Sequence, residues 1–197
     1  MFRPMRSTTV VTALLWASIT GPAGADVVLD QAHVVPAGAT ADLAIITGQS
    51  LAGTFTVGLD GVLAQVDLQV YKNTGTTEDL VFTIRPTVDG VPDPDDSLVL
   101  LELVVSLDDI PTIDDPLQEV PLTSIDVSAA GIVVASGDVL ALSLSRMGAG
   151  RPPWATWRHN SDVYDGGSSF QRASSTQDWS PIPGFYAGFQ TWVDVGN

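Results

Sequence analysis

A chain of 197 residues that is 45% hydrophobic can bury one substantial core and is too short for two comfortable domains. Its formal charge of -15 argues against nucleic acid and against an anionic membrane surface, and it grows more negative without Arg3 and Arg6, because every acidic residue lies beyond residue 25. There is no cysteine, so neither a disulfide framework nor a thiolate metal site is available and stability must come from packing.

Residues 1–25 have the three parts of a secretory signal peptide: Arg3 and Arg6, an apolar stretch over 10–19, and the small-residue ending Ala23-Gly24-Ala25. The apolar run is shorter than the ~20 residues that span a bilayer, and Gly21-Pro22 follows at once. The sequence therefore predicts cleavage after Ala25 and a single domain over 26–197, secreted to the extracellular space or the periplasm.

The mature part opens with VVLDQAHVV, a first strand whose partner the sequence does not name. Residues 51–85 read as three consecutive strands. In the second of them Val62, Ala64, Val66, Leu68 and Val70 fall on one side of a period-two pattern, and Gln65, Asp67 and Gln69 on the other. Leu80, Phe82 and Ile84 alternate with Thr83 and Arg85 in the third, and the intervening Gly58-Leu59-Asp60-Gly61 and Asn73-Thr74-Gly75 carry turn chemistry. The loop over 89–97 is rich in turn formers and carboxylates. Residues 98–105 are the most apolar run of the mature chain and suit a strand buried on both faces or a short helix, with the strand favoured by the β-branched Val104 and Val105.

Three prolines and several acids mark 108–121 as a connection. Short strands follow over 122–127 and 131–134, then a turn at 135–138 and a buried strand over 139–146. About seven strands without helical periodicity predict an all-β fold, a two-sheet antiparallel β-sandwich of jelly-roll type. The last 47 residues hold nine of the 14 aromatic residues, among glycines and prolines that predict long loops before a closing strand at 189–193.

The order of several pieces, VVLDQ, GTFTVGLDGVLAQVDLQVY, DLVFTIRPTVDGVP, the IPT of 110–112, VVASGDVLALSLS, VYDGGSSF and a final FQTWV, resembles a broad group of secreted bacterial jelly-roll domains related in architecture to carbohydrate-binding modules. What this resemblance implies is fold and export, with the 164–170 segment folded back near the closing strand. It supplies no catalytic residues.

The aromatic-rich end carries the most distinctive chemistry. A sugar ring has an apolar C–H face and a rim of hydroxyls, so an open tryptophan beside Asp, Asn or Arg can stack on one and bond the other. Trp154, Trp157, Arg158, Asn160, Asp162 and Trp179 are the candidate ligand-binding residues on this ground. The competing account is that these rings cap the core. Asp93, Asp95 and Asp96 offer hard oxygen ligands for a structural calcium, as do the acids of 108–115, although neither run has the spacing of a twelve-residue calcium loop. Two histidines, no G-x-S-x-G elbow and no H-E-x-x-H leave little basis for an enzyme. The expected function is a non-catalytic binding module, with extracellular carbohydrate or another surface ligand as its partner. The alternatives are a structural or adhesive matrix protein and, third, a glycoside hydrolase built on an Asp pair.

Overall fold

The computed structural model describes residues 26–38, 41–148 and 154–196, so the signal peptide read over 1–25 lies outside the described residues. The chain is an all-β antiparallel sandwich. Among the described residues, the front sheet runs from the opening strand Val27–His33 to the closing strand Phe189–Asp194, then Gly61–Leu68, with Thr123–Asp126 and Val133–Val134 along the far side of that strand. The missing partner of VVLDQ is thus the far end of the chain. The back sheet runs Ser169–Arg172, Ser50–Thr56, Val139–Arg146, Leu80–Val88 and Leu101–Val105.

Alternation explains how the two layers close. Leu80, Phe82 and Ile84 point inward with no exposed surface, meeting Phe55, Leu68, Leu142, Leu144 and Phe189 in one core. Their neighbours Thr83 and Arg85 point to the outer face, where both are nevertheless covered.

Three expectations are corrected. In the strand Gly61–Leu68, Gln65 pairs with Trp192 but Leu63 pairs with Val193, so Ala64 is an extra residue, a β-bulge that reverses the phase of everything before it. Leu63 therefore enters the core while Val62 stays half-exposed. Residues 98–105 are not one buried strand: Asp96–Leu98 is a 3-10 turn, Leu98 and Leu100 are exposed, and only Leu101–Val105 pairs, as an edge with alternate residues open. Finally, residues expected in a long loop form the short strands Ala155–Trp157 and His159–Asn160.

These last strands fill a fork. Gly61–Leu68 and Phe189–Asp194 pair as far as Leu68 and Phe189, then part. Beyond that point Val70–Lys72 pairs with Ala155–Trp157, and Tyr186–Ala187 pairs with His159–Asn160. At the crotch, the amide of Gln69 donates to the carbonyl of Gly188 at 3.0 Å, that of Gly188 to Arg158 at 2.8 Å, and that of Arg158 to Gln69 at 2.8 Å. The result is a closed ring of three backbone hydrogen bonds joining three strands.

The Gln69 side chain fills the space beside Gly188. It accepts from the Val35 amide at 2.6 Å and donates to the carbonyls of Val35 and Val120. A Cβ on Gly188 would lie 2.2 Å from Gln69 Oε1. Gly188→Ala must displace a buried, triply bonded amide, and is expected to cost about 2–4 kcal/mol by urea denaturation. A loss below about 0.5 kcal/mol would show that the junction yields easily.

Candidate functional site

The six residues read as a ligand site do not converge. Trp157 pairs with Val70 and is wholly buried, its indole N–H donating to the Gly188 carbonyl at 3.0 Å and its ring lying against Gly53. Arg158 has no exposed surface either: Nε stands 2.8 Å from Asp42 Oδ1, while Nη1 and Nη2 donate to the carbonyls of Gln118 and Pro116. The guanidinium lies over Tyr71, whose hydroxyl donates to Asp42 Oδ2 at 2.9 Å. Burial first, and that bond to Asp42 second, raise the Tyr71 pKa. Arg158 therefore ties the 116–118 loop and Asp42 to the fork and is not open to a ligand.

Asn160 bonds His33 Nε2 at 2.9 Å and donates to Asp162 Oδ2, so these two expected ligand residues border an open hollow of about 290 Å³ beside Pro36 and Ala37. Trp154 is half-buried. Trp179 lies elsewhere, on the outer face of the back sheet with Ala52 and Phe170, 6% exposed and stacked by Arg85 and Arg172. An open tryptophan platform built from Trp157 and Trp179 is excluded by this burial.

The carboxylates expected to hold calcium are spent locally. Asp93 accepts from the Asp95 amide, and Asp95 accepts from the Ser97 amide at 2.9 Å; the Ser97 side chain first, and that amide second, hold the Asp95 carboxyl below the ordinary range. Burial works to raise the Asp96 carboxyl, but its two bonds to Arg172 and Arg85 outweigh it and keep the group low. Among the described residues, no three His, Asp or Glu side chains are placed to share a metal. What Asp93, Asp95 and Asp96 do in this structure is shape one loop and bind Arg85 and Arg172.

A different concavity lies in the same terminal segment. Ser168, Ser169, Pro181, Ile182, Phe185 and Tyr186 wall a cleft of about 260 Å³. It adjoins a hollow of about 10 Å³, the size of one water, that shares Ser168, Ser169 and Tyr186 and is also lined by Tyr164 and Phe189. One wall is fixed to the back sheet: the Thr54 amide donates to the Ser168 carbonyl, and the Ser168 amide to Thr54 Oγ1, both at 2.9 Å. Gly167 is required there, since a Cβ would meet the Thr54 carbonyl at 1.8 Å.

The other wall is the turn PIPGFY. The Ile182 amide donates to the Ser169 carbonyl at 2.8 Å, two prolines stiffen the run, and Gly184 takes a φ of +73° that turns the chain into Phe185 and Tyr186. Both rings are half-buried, so each keeps an open portion. Tyr186 is steadied by the His33 ring at 6.2 Å, which also lies 5.5 Å from Tyr164. Burial, then the nearby Asp30, push the Tyr164 phenol up to about 12, so it stays a protonated donor, here to Gln31 Oε1 at 3.2 Å. Ser169 is 2% exposed and its hydroxyl has no protein partner. The cleft thus combines two aromatic surfaces with an unsatisfied hydroxyl.

The sequence pointed to this segment but to its tryptophans. The signal for the cleft was PIPGFY itself, where proline and glycine fix a turn that presents two adjacent rings. Comparison with protein-family models gives no match, and comparison with curated proteins gives no significant similarity.

Behind the cleft, His159 is held neutral. Burial pushes its pKa down to about 4 from 6.5, against the bond between its Nδ1 and the Trp157 carbonyl. The unfolded chain takes up that proton near pH 6.5 and the folded chain only near 4. Stability from this group is therefore complete above pH 6.5 and is lost as pH falls toward 4, by about 3 kcal/mol in all. Urea denaturation across this range is expected to show a shallower acid loss in His159→Gln than in the parent. Parallel profiles would contradict it.

Proposed function

We propose that this chain is a secreted, non-catalytic binding module whose Phe185–Tyr186 cleft holds one ring of an extracellular carbohydrate. The observation that carries the reading is the meeting of two half-open rings and the unpartnered Ser169 hydroxyl in one concavity. Rings supply the apolar surface that a sugar face needs, and hydroxyls supply the donors and acceptors for its rim. At about 260 Å³ the cleft is smaller than the ~300–1,000 Å³ of a drug-sized site, which favours a single sugar unit at a chain end over a long segment. The β-sandwich is compatible with the resemblance to jelly-roll domains related to carbohydrate-binding modules, and the acidic surface suits a soluble exported protein.

The test is calorimetric titration with a panel of monosaccharides and short oligosaccharides. Saturable binding is expected for at least one, with Phe185→Ala and Tyr186→Ala each weakening it about tenfold and Ser169→Ala less. Asp162→Asn, outside the cleft, is expected to leave the affinity unchanged. Absence of binding across the panel, or binding indifferent to both ring deletions, would overturn the reading.

A further inference from the structure

A second groove, of about 280 Å³, lies on the outer face of the back sheet. Its floor follows from the strand register. Ser50 pairs with Ser145 and Ser145 with Val81, while Ser143 pairs with Thr83 and Thr83 with Glu102. Side chains of one parity share a face, so hydroxyls line up across three strands, two of them, Thr83 and Ser143, bonded to each other at 2.5 Å. Ser169 faces the cleft and Phe170 packs with Ala52 and Trp179 on the outer face, which puts the two concavities on opposite sides of the strand Ser169–Arg172.

One end of the groove is formed by Arg85 and Arg172, 2% and 6% exposed. Both guanidiniums rest on the Trp179 ring, at 5.5 and 4.7 Å, and both donate through Nη2 to the same oxygen, Asp96 Oδ1, at 3.1 and 2.8 Å. Nη1 of Arg85 donates to the Asp93 carbonyl, and Nη1 of Arg172 reaches the Pro94 carbonyl at 3.5 Å. The Nε of each has no partner. In a guanidinium, Nε and Nη2 form the edge that matches the two oxygens of a carboxylate. Each arginine thus has one half of its fork engaged and the other empty.

The charge balance sets this site apart. Arg146 has Glu78 to itself and Arg158 has Asp42, whereas here two buried cations share one carboxylate. That carboxylate is 49% exposed and stands on a short 3-10 turn, so it can be exchanged where the arginines cannot. The other acids facing the site are Asp93, whose carboxylate is turned to the Asp95 amide, and Glu102 across the groove. Glu102 disfavours a second negative group and offers an acceptor for hydroxyls.

We propose that this groove binds a small hydroxylated carboxylate of the hexuronate kind, its carboxylate replacing Asp96 on the Arg85–Arg172 pair and its hydroxyls meeting Ser145, Ser50 and Glu102. This site is separate from the Phe185–Tyr186 cleft and stands without it. The test is titration of the whole mature chain with D-glucuronate, D-glucose and acetate, read by tryptophan emission and melting temperature. Glucuronate is expected to give a saturable change in emission that disappears in Trp179→Phe, and to raise the melting temperature; glucose is expected to do neither, and acetate to act more weakly than glucuronate. Asp96→Asn removes the competing carboxylate while keeping its shape, and is expected to bind glucuronate more tightly and gain more thermal stability from it than the parent does. Arg172→Gln is expected to bind about tenfold more weakly or worse. No saturable response to glucuronate in either the parent or Asp96→Asn would overturn the proposal. So would a response that glucose reproduces or that Arg172→Gln leaves unchanged.

Discussion

Three amides and three carbonyls, one pair each from Gln69, Arg158 and Gly188, close a ring of hydrogen bonds on which the rest of the molecule depends. Two adjacent strands that part leave facing rows of unpaired donors and acceptors, which is costly in a protein interior. Here the gap is filled by a third strand entering between them. Its entry carries Trp157 into the core, anchors the Asp42 and 116–118 regions through Arg158, and sets Tyr186 at a fixed place beside the opening strand. Only glycine fits at 188, because the Gln69 side chain already occupies the space a Cβ would need. The cleft inherits its rigidity from this junction on one side and from the Thr54–Ser168 bonds on the other.

The scarcity of cations makes each buried arginine a structural decision. In the described chain, Arg146 and Arg158 each meet one carboxylate of their own. Arg85 and Arg172 hold the 93–96 loop against the back sheet together with Trp179. The many aspartates have a different use. Asp95, Asp115, Asp126 and Asp194 each accept from the amide two residues on, and Asp60 and Asp114 reach across to amides of neighbouring loops. Aspartate is favoured at such positions because its short side chain reproduces a backbone turn. Much of the negative charge therefore sits where loops need local hydrogen bonds, and it keeps the surface soluble at the same time.

Where side chains alternate cleanly, the architecture was legible. Leu80, Phe82 and Ile84, and the run over 139–146, announce their strands because one face is dry. Ala64 hides its bulge, since a small residue is tolerated on either face and the phase reversal leaves Leu63, an equally apolar neighbour, in the core. The 155–160 strand was invisible for a stronger reason. Trp157, Arg158, His159 and Asn160 are all buried in succession, so no alternation exists to detect, and the polar groups of Arg158 and Asn160 meet Asp42, Gln118 and His33, far away in sequence. The same residues looked like a ligand site because buried polar networks and binding sites draw on one set of residue types. What told them apart was exposure, a property of the folded chain.

The most direct measurement of the central claim is native-state hydrogen exchange at the amides of Gln69, Arg158 and Gly188. If the inserted strand holds the parted strands of the front sheet as an integral part of the fold, all three exchange only through global unfolding, with the same free energy and denaturant dependence as the central amides of Val139–Arg146. Exchange of Arg158 and Gly188 through a smaller opening, while those central amides stay protected, would show instead that the aromatic segment is laid onto an already complete sandwich.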